Sequence, residues 1–138
     1  MELIPWREEF ALGISEIDEQ HKKILAIINN LSEIFQEKKH HEQGVIDQII
    51  QELNDYANYH FQTEEKYFNL FSYQDAEAHI KIHNQYREKI SEWRQRYEKE
   101  NDPKIFFDVS EFLKNWWVWH INNTDRAYVP LLKENGLK

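Results

Sequence analysis

Apolar residues recur in this chain at alternating steps of three and four, in four separate stretches. That spacing draws a stripe down one face of an α-helix. A strand cannot use it, because strand side chains alternate at every second residue. The first stripe runs Ile14, Ile17, His21, Ile24, Ile28, Leu31 and Phe35, and the second Ile46, Ile49, Leu53, Tyr56, His60, Glu64 and Tyr67. The third runs Ala76, His79, His83, Tyr86, Ile90, Trp93 and Tyr97. The fourth runs Phe106, Val109, Leu113, Trp116 and His120, then loosens towards Asp125. Only 3 Gly and 3 Pro interrupt 138 residues, too few for the many turns of a sandwich or barrel.

Polar joints separate the stripes at Lys38 to Gly44, near Asn69 to Gln74, and at Asn101-Asp102-Pro103. The expected helices cover about residues 15–38, 43–69, 74–99 and 104–126. Ser15 and Asp18 read as a capping box at the first start, and Pro130 is expected to end or bend whatever helix follows the fourth. Helices of roughly 20 residues span about 30 Å, and short joints force neighbours antiparallel. The expected fold is all-α, an up-down-up-down four-helix bundle forming one domain over residues 1–138. Residues 1–14 form an N-terminal arm whose Ile4-Pro5-Trp6 and Phe10-Ala11-Leu12 can pack across the bundle. Trp116, Trp117 and Trp119 cannot all point inward from one helix, so one or two should face the arm or solvent.

Composition narrows the partners. The formal net charge is −8, which makes nucleic acid and anionic membranes poor partners. No apolar run approaches membrane-spanning length and the first residues lack the pattern of a secretory signal, so a cytoplasmic location is the expectation. With no Cys, thiolate metal sites, disulfides and Cys nucleophiles are excluded.

The seven His divide into two classes. His40 and His41 fall in a polar joint. His21, His60, His79, His83 and His120 fall on the stripes. A single His on an apolar face is commonly a core residue bonded to a backbone carbonyl. Five of them, however, also share a depth. His21 lies near the start of the first helix, His60 and Glu64 in the later half of the second, His79 and His83 at the start of the third, His120 and Asp125 near the end of the fourth. In an up-down-up-down bundle these places are at one end, so seven polar side chains converge on one layer. Left unpaired in a dry core they would cost several kcal/mol each. Neutral imidazoles and carboxylates are good ligands for Fe, Mn, Zn or Cu. His60 with Glu64 and His79 with His83 are each four apart and share a helix face. Seven donors exceed one tetrahedral ion and suit two ions bridged by the carboxylates, with iron fitting the mixed nitrogen and oxygen set. None of the five stripe His has a Glu three residues before it, so the paired Glu-x-x-His of ferritin-like di-iron proteins is absent from the layer, and the H-E-x-x-H of metalloproteases is absent altogether.

Four segments together resemble the hemerythrin family, in its single-domain bacterial form. They are Ile14 to Lys22 around His21, His60-Phe61-Gln62-Thr63-Glu64-Glu65, His79-Ile80-Lys81-Ile82-His83, and His120 to Tyr128 with Asp125 five residues after His120. Their order and separations carry the resemblance over almost the whole chain. Tyr73-Gln74 departs from the family's Tyr-Pro, at a turn that touches no ligand position. The resemblance implies that His79, His83 and His120 bind one iron and that His21 and His60 bind a second iron with an open position. Glu64 and Asp125 would bridge the two Fe ions (Fe2+/Fe3+) together with a hydroxo or oxo group. It implies reversible O2 binding at the open iron, with O2 held as hydroperoxide. Ile24, Phe61, Trp116, Trp117 and Ile121 flank these positions and are bulky and apolar, as a dry O2 pocket requires.

The expected activity is therefore O2 storage, delivery or scavenging by a non-enzyme. The expected state is a monomer, with an O2-consuming enzyme as a recipient. The competing readings are a di-iron O2 or redox sensor, an NO- or peroxide-reactive di-iron enzyme, and a plain helical or zinc-binding bundle. Replacing His40 and His41 together with Ala is expected to leave iron content and the visible spectrum unchanged. Loss of iron in that double variant would put these two residues among the ligands.

Overall fold

The computed structural model describes residues 4–36, 44–100 and 103–138. Four long helices carry the four stripes: α1 Ser15–Gln36, α2 Val45–Leu70, α3 Ala76–Glu100 and α4 Pro103–Trp119. Each packs against its neighbour in sequence, and α1 also packs against α4, which closes an antiparallel four-helix bundle. There is no strand among the described residues. His40 and His41 lie outside the described residues.

The helix ends depart from the sequence reading in instructive ways. Ser15 is the first helical residue of α1, and its N–H donates to the Lys138 carbonyl at 3.0 Å. Asp18 reaches back past it, accepting the Leu12 N–H at 2.8 Å and the Gly13 N–H at 3.1 Å. The carboxylate thus ties the arm to the first turn instead of completing a Ser–Asp box. At the other joint, Ser72 takes φ 54° just past α2 and the Tyr73 N–H returns to the Phe68 carbonyl at 2.9 Å. That is the six-to-one bond of a Schellman stop, here made without glycine.

The fourth helix does not continue as an α-helix to residue 126. After Trp119 the backbone widens to a π-helical turn over His120–Asp125 and tightens to a 3-10 turn over Arg126–Tyr128. It then resumes as a short helix α5, Val129–Glu134. Pro130 was expected to end or bend a helix. It sits instead in the first turn of α5, where its missing N–H costs no hydrogen bond.

The apolar core is divided into two clusters. The larger holds Ile24, Ile28, Leu53, Phe61, Ile90, Leu113 and Trp117 among others. The smaller holds Leu12, Ile14, Ile17, Phe68, Tyr128 and Leu132. Along α1 the chain passes from Ile17 in one cluster through His21 to Ile24 in the other, and along α2 from Phe61 through Glu64 to Phe68. The polar layer therefore lies between two dry seals. Trp117 is fully buried while Trp119 is 67% exposed and lines an open surface cleft with the arm residues Ile4, Pro5 and Phe10.

The arm is held by Asn29, whose side chain accepts the Ile4 N–H and donates to the Ile4 carbonyl, both at 2.7 Å. Two such bonds at a half-buried site contribute about 1–2 kcal/mol together. Asn29→Ala is expected to lower stability by about that amount and to lose amide-exchange protection at Ile4. Unchanged protection there would mean that the apolar contacts of Trp6 and Phe10, with the Arg126 bond to the Glu9 carbonyl, hold the arm without Asn29.

Candidate metal centre

Each helix brings its donors to the layer by its own geometry. His21 comes from the second turn of α1. His60 and Glu64 on α2, and His79 and His83 on α3, are each one turn apart on an inward face. His120 and Asp125 are five apart, which on a regular α-helix at about 100° per residue would turn one of them away. The π-helical turn eases that conflict, since its hydrogen bonds step five residues and it turns less per residue than an α-helix, and it spans these two residues end to end. All seven side chains are at most 3% exposed.

The ring nitrogens face one another across two carboxylates. Asp125 straddles the layer. Its Oδ2 lies 2.8 Å from His21 Nε2 and 3.4 Å from His60 Nε2, and its Oδ1 lies 2.8 Å from His120 Nε2 and 3.1 Å from His79 Nε2. Glu64 Oε1 lies 3.2 Å from both His60 Nε2 and His83 Nε2, and 3.8 Å from His79 Nε2. The donors form two groups, each with its ligand atoms within 4.8 Å of one another. One is Glu64, His79, His83, His120 and Asp125, and the other is His21, His60 and Asp125.

Protons alone do not satisfy this layer. Burial drives the His60 pKa down to about 4 and lowers those of His83 and His120 as well, so these rings are neutral. Burial, and then the charge of Asp125, pushes the Glu64 carboxyl well above its ordinary value. Burial also pushes Asp125 upward, but the electrostatic pull of the imidazoles that face it, His120 first, outweighs it and holds Asp125 below its ordinary value. Both Glu64 oxygens, Asp125 Oδ1 and the Nε2 atoms of His79, His83 and His120 have no well-formed hydrogen bond. Buried lone pairs converging without donors are what a cation satisfies. Five imidazoles with carboxylates and no sulfur suit Fe, Mn, Zn or Cu, and two groups sharing one carboxylate offer places for two ions.

The flanking aromatic and aliphatic side chains sort by group. Phe61 stacks on His83 with ring centroids 3.9 Å apart and on Trp117 at 5.7 Å. Half-buried Trp116 stacks on His120 at 4.3 Å. Trp117 lies 5.9 Å from both His60 and His120, and its indole N–H donates to the Tyr86 hydroxyl at 3.2 Å. Ile24 and Ile121 are completely buried in the same apolar cluster.

Several polar residues at the layer escaped the sequence reading. Gln20 Oε1 lies 2.7 Å from His60 Nδ1, and the Gln20 amide donates to Thr63 at 3.2 Å. Both are buried, yet both sit beside the apolar stripes and read as surface residues in a pattern that marks only the stripe itself. Glu65 lies 3.8 Å from His83 Nδ1 and pairs with Arg87. Tyr128 is fully buried. Burial, then the charges of Glu64 and Asp125, push its phenol well above its ordinary value, so it stays protonated.

Comparison with known proteins adds an independent line. The family model described as Hemerythrin HHE cation binding domain matches residues 12–132. A protein named bacteriohemerythrin from Pseudomonas aeruginosa is 35% identical over 130 residues, covering 94% of this chain and 82% of that protein. A bacteriohemerythrin from Clostridium acetobutylicum is 30% identical over 125 residues, covering 90% and 97%. The crystal structure of a wild-type hemerythrin superposes with a TM-score of 0.81 at 25% identity, covering 95% of this chain and 98% of that one.

An ion that binds only the folded layer should stabilise the protein by mass action, by about 3 kcal/mol at a hundredfold excess over its Kd. Chelation is expected to lower Tm and to raise amide exchange most around His21, Glu64, His79 and Asp125. Equal protection at both ends of the metal-free bundle would contradict a metal-satisfied layer.

Proposed function

We propose that this chain, which belongs to the hemerythrin family, binds O2 reversibly at two iron ions held in the layer between its two apolar clusters. The family is in general one of iron-binding, oxygen-binding proteins. The observation that carries the reading is the inequality of the two donor groups, five residues against three, joined by Asp125. In this reading His79, His83 and His120 would hold one ion, His21 and His60 would hold the other, and Glu64 and Asp125 would be shared between them. The poorer group keeps room for an external ligand. Iron bound there would supply the electrons and the free coordination position that O2 requires.

The chain's own residues would do the rest. The neutral imidazoles add no charge, so the two carboxylates set the anionic count of the layer. Ile24 lies three residues after His21 on the same buried face of α1, and Ile121 follows His120 directly. With Phe61 and Trp117 they close the larger cluster over the layer and exclude water. The Trp117 N–H is committed to Tyr86, so it offers no proton to a ligand in the pocket. A dry pocket wall of Ile24, Phe61, Trp117 and Ile121 that offers no free acid favours release of O2 unchanged over its reduction. The proposed use is storage, delivery or scavenging of O2.

Protein purified in air should contain two irons per chain and little zinc. An anaerobic ferrous sample should gain a visible absorption band in air and lose it on deoxygenation. Rapid irreversible oxidation instead would point to an enzyme or redox sensor. Ile24→Glu would place a carboxylate within reach of the poorer donor group and favour the ferric state. That variant is expected to keep its iron and lose reversible O2 binding, while Ile90→Glu, about two turns beyond His83 on α3, should retain it in folded protein. The opposite pattern would place the open position elsewhere.

A further inference from the structure

Among the donors, His60 has a partner that dictates its protonation. The Tyr59 carbonyl can only accept, so the Thr63 hydroxyl, 3.0 Å away, must donate its one proton to it. Towards Gln20 the Thr63 oxygen can then only accept, which fixes the Gln20 amide nitrogen on that side at 3.2 Å. Gln20 Oε1 is thereby turned to His60 Nδ1 at 2.7 Å. An amide oxygen cannot donate, so His60 Nδ1 carries the proton. A neutral imidazole has only one, which leaves His60 Nε2 as a bare lone pair facing His21 Nε2 and Glu64 Oε1, each at 3.2 Å. By contrast, the Nδ1 atoms of His21, His83 and His120 are buried without a hydrogen-bond partner.

We propose that Gln20 and Thr63 are positioning residues that lock His60 in the tautomer whose lone pair faces the metal layer, so that the poorer donor group is pre-formed before an ion arrives. The role of this lock in iron retention rests on the function proposed above, whereas the lock itself does not. The relay runs one way, from a backbone carbonyl through a hydroxyl and an amide to a ring; its links from Thr63 to Gln20 and from Gln20 to His60 are buried, and the one to the Tyr59 carbonyl is half-buried. Outer partners of this kind orient a ligating ring and typically contribute 10–100-fold in metal affinity. Their weight should be greatest at the group with fewest protein ligands, where the loss of one correctly presented nitrogen leaves the ion held by His21 and carboxylate alone.

Three variants of the full chain separate orientation from packing. Thr63→Val keeps the shape and removes the hydroxyl, Thr63→Ser restores it, and Gln20→Leu removes the relay. Nitrogen-15 NMR of His60 in the metal-free chain at neutral pH should show a single Nδ1–H tautomer in the parent and in Thr63→Ser. It should show a tautomer mixture in Thr63→Val and Gln20→Leu. After loading with Fe(II), loss of the more labile iron to a chelator should be about 10–100-fold faster in Thr63→Val and Gln20→Leu, with Thr63→Ser close to the parent. Helical content measured on each variant distinguishes a lost relay from a lost fold. A parent-like His60 spectrum in Thr63→Val and Gln20→Leu would overturn the lock. An altered spectrum with unchanged iron loss would overturn its role in retention. A parent chain that takes up no iron would sink the O2 reading, and the lock would still stand or fall on the His60 spectrum.

Discussion

Burial of seven polar side chains in one layer is the constraint from which the rest of this bundle follows. Five imidazoles and two carboxylates withdrawn from water cost several kcal/mol each unless paired, and two like charges at this separation resist ionising together. The opposite shifts of Glu64 and Asp125 express that conflict. Four helices must deliver donors to the same depth, so the antiparallel order and the lengths of the joints are tied to the layer. The two apolar clusters above and below it then do more than stabilise. They keep the donors dry, which strengthens every electrostatic interaction inside and leaves a cation as the natural counterpart.

The layer is not symmetric, and its asymmetry is built from ordinary side chains. On the α3 and α4 side the rings are backed by aromatic planes, Phe61 on His83 and Trp116 on His120. On the α1 and α2 side the backing is polar and directional, through Gln20 and Thr63 to a main-chain carbonyl. Stacking fixes the tilt of a ring but leaves either nitrogen free to carry the proton. A hydrogen bond to an amide oxygen settles that choice. The crowded group can tolerate the looser control because three rings share the work there.

The helical stripes were legible because a period near 3.6 leaves no other economical fold, and the shared depth of His21, His60, His79, His83 and His120 followed from antiparallel order alone. What escaped were features set by single hydrogen bonds or by backbone widening. The five-residue step from His120 to Asp125 was visible in the sequence, but the π-helical turn that makes it work was not, since no residue type demands one. Gln20 and Thr63 sit next to the stripes, where a polar letter reads as surface. Ser15 looked like a cap because the pattern matched, yet Asp18 found better donors in Leu12 and Gly13. Pro130 carries the same restriction at a helix start as at a helix end, and only the tertiary path decides which one it serves.

The π-helical turn also has a meaning for how such a chain can change over generations. One surplus residue between Trp119 and Arg126 holds Asp125 in register with His120. Loss of any single residue among Ile121, Asn122, Asn123 and Thr124 would let the backbone relax to an uninterrupted α-helix. Asp125 would then follow His120 by four residues, one α-helical turn, and Tyr128 and Leu132 would keep their places in the smaller cluster. The widened turn thus absorbs the surplus residue locally, so neither the carboxylate that joins the two donor groups nor the seal at the end of the bundle is displaced by it. Loss of one residue there is milder than the same loss in a regular stretch of α4, where no surplus exists and everything downstream would turn by about 100°. The exposed side chain of Asn123 can drift in identity and the segment can lose one residue, whereas Ile121, buried in the larger cluster, is held by its packing.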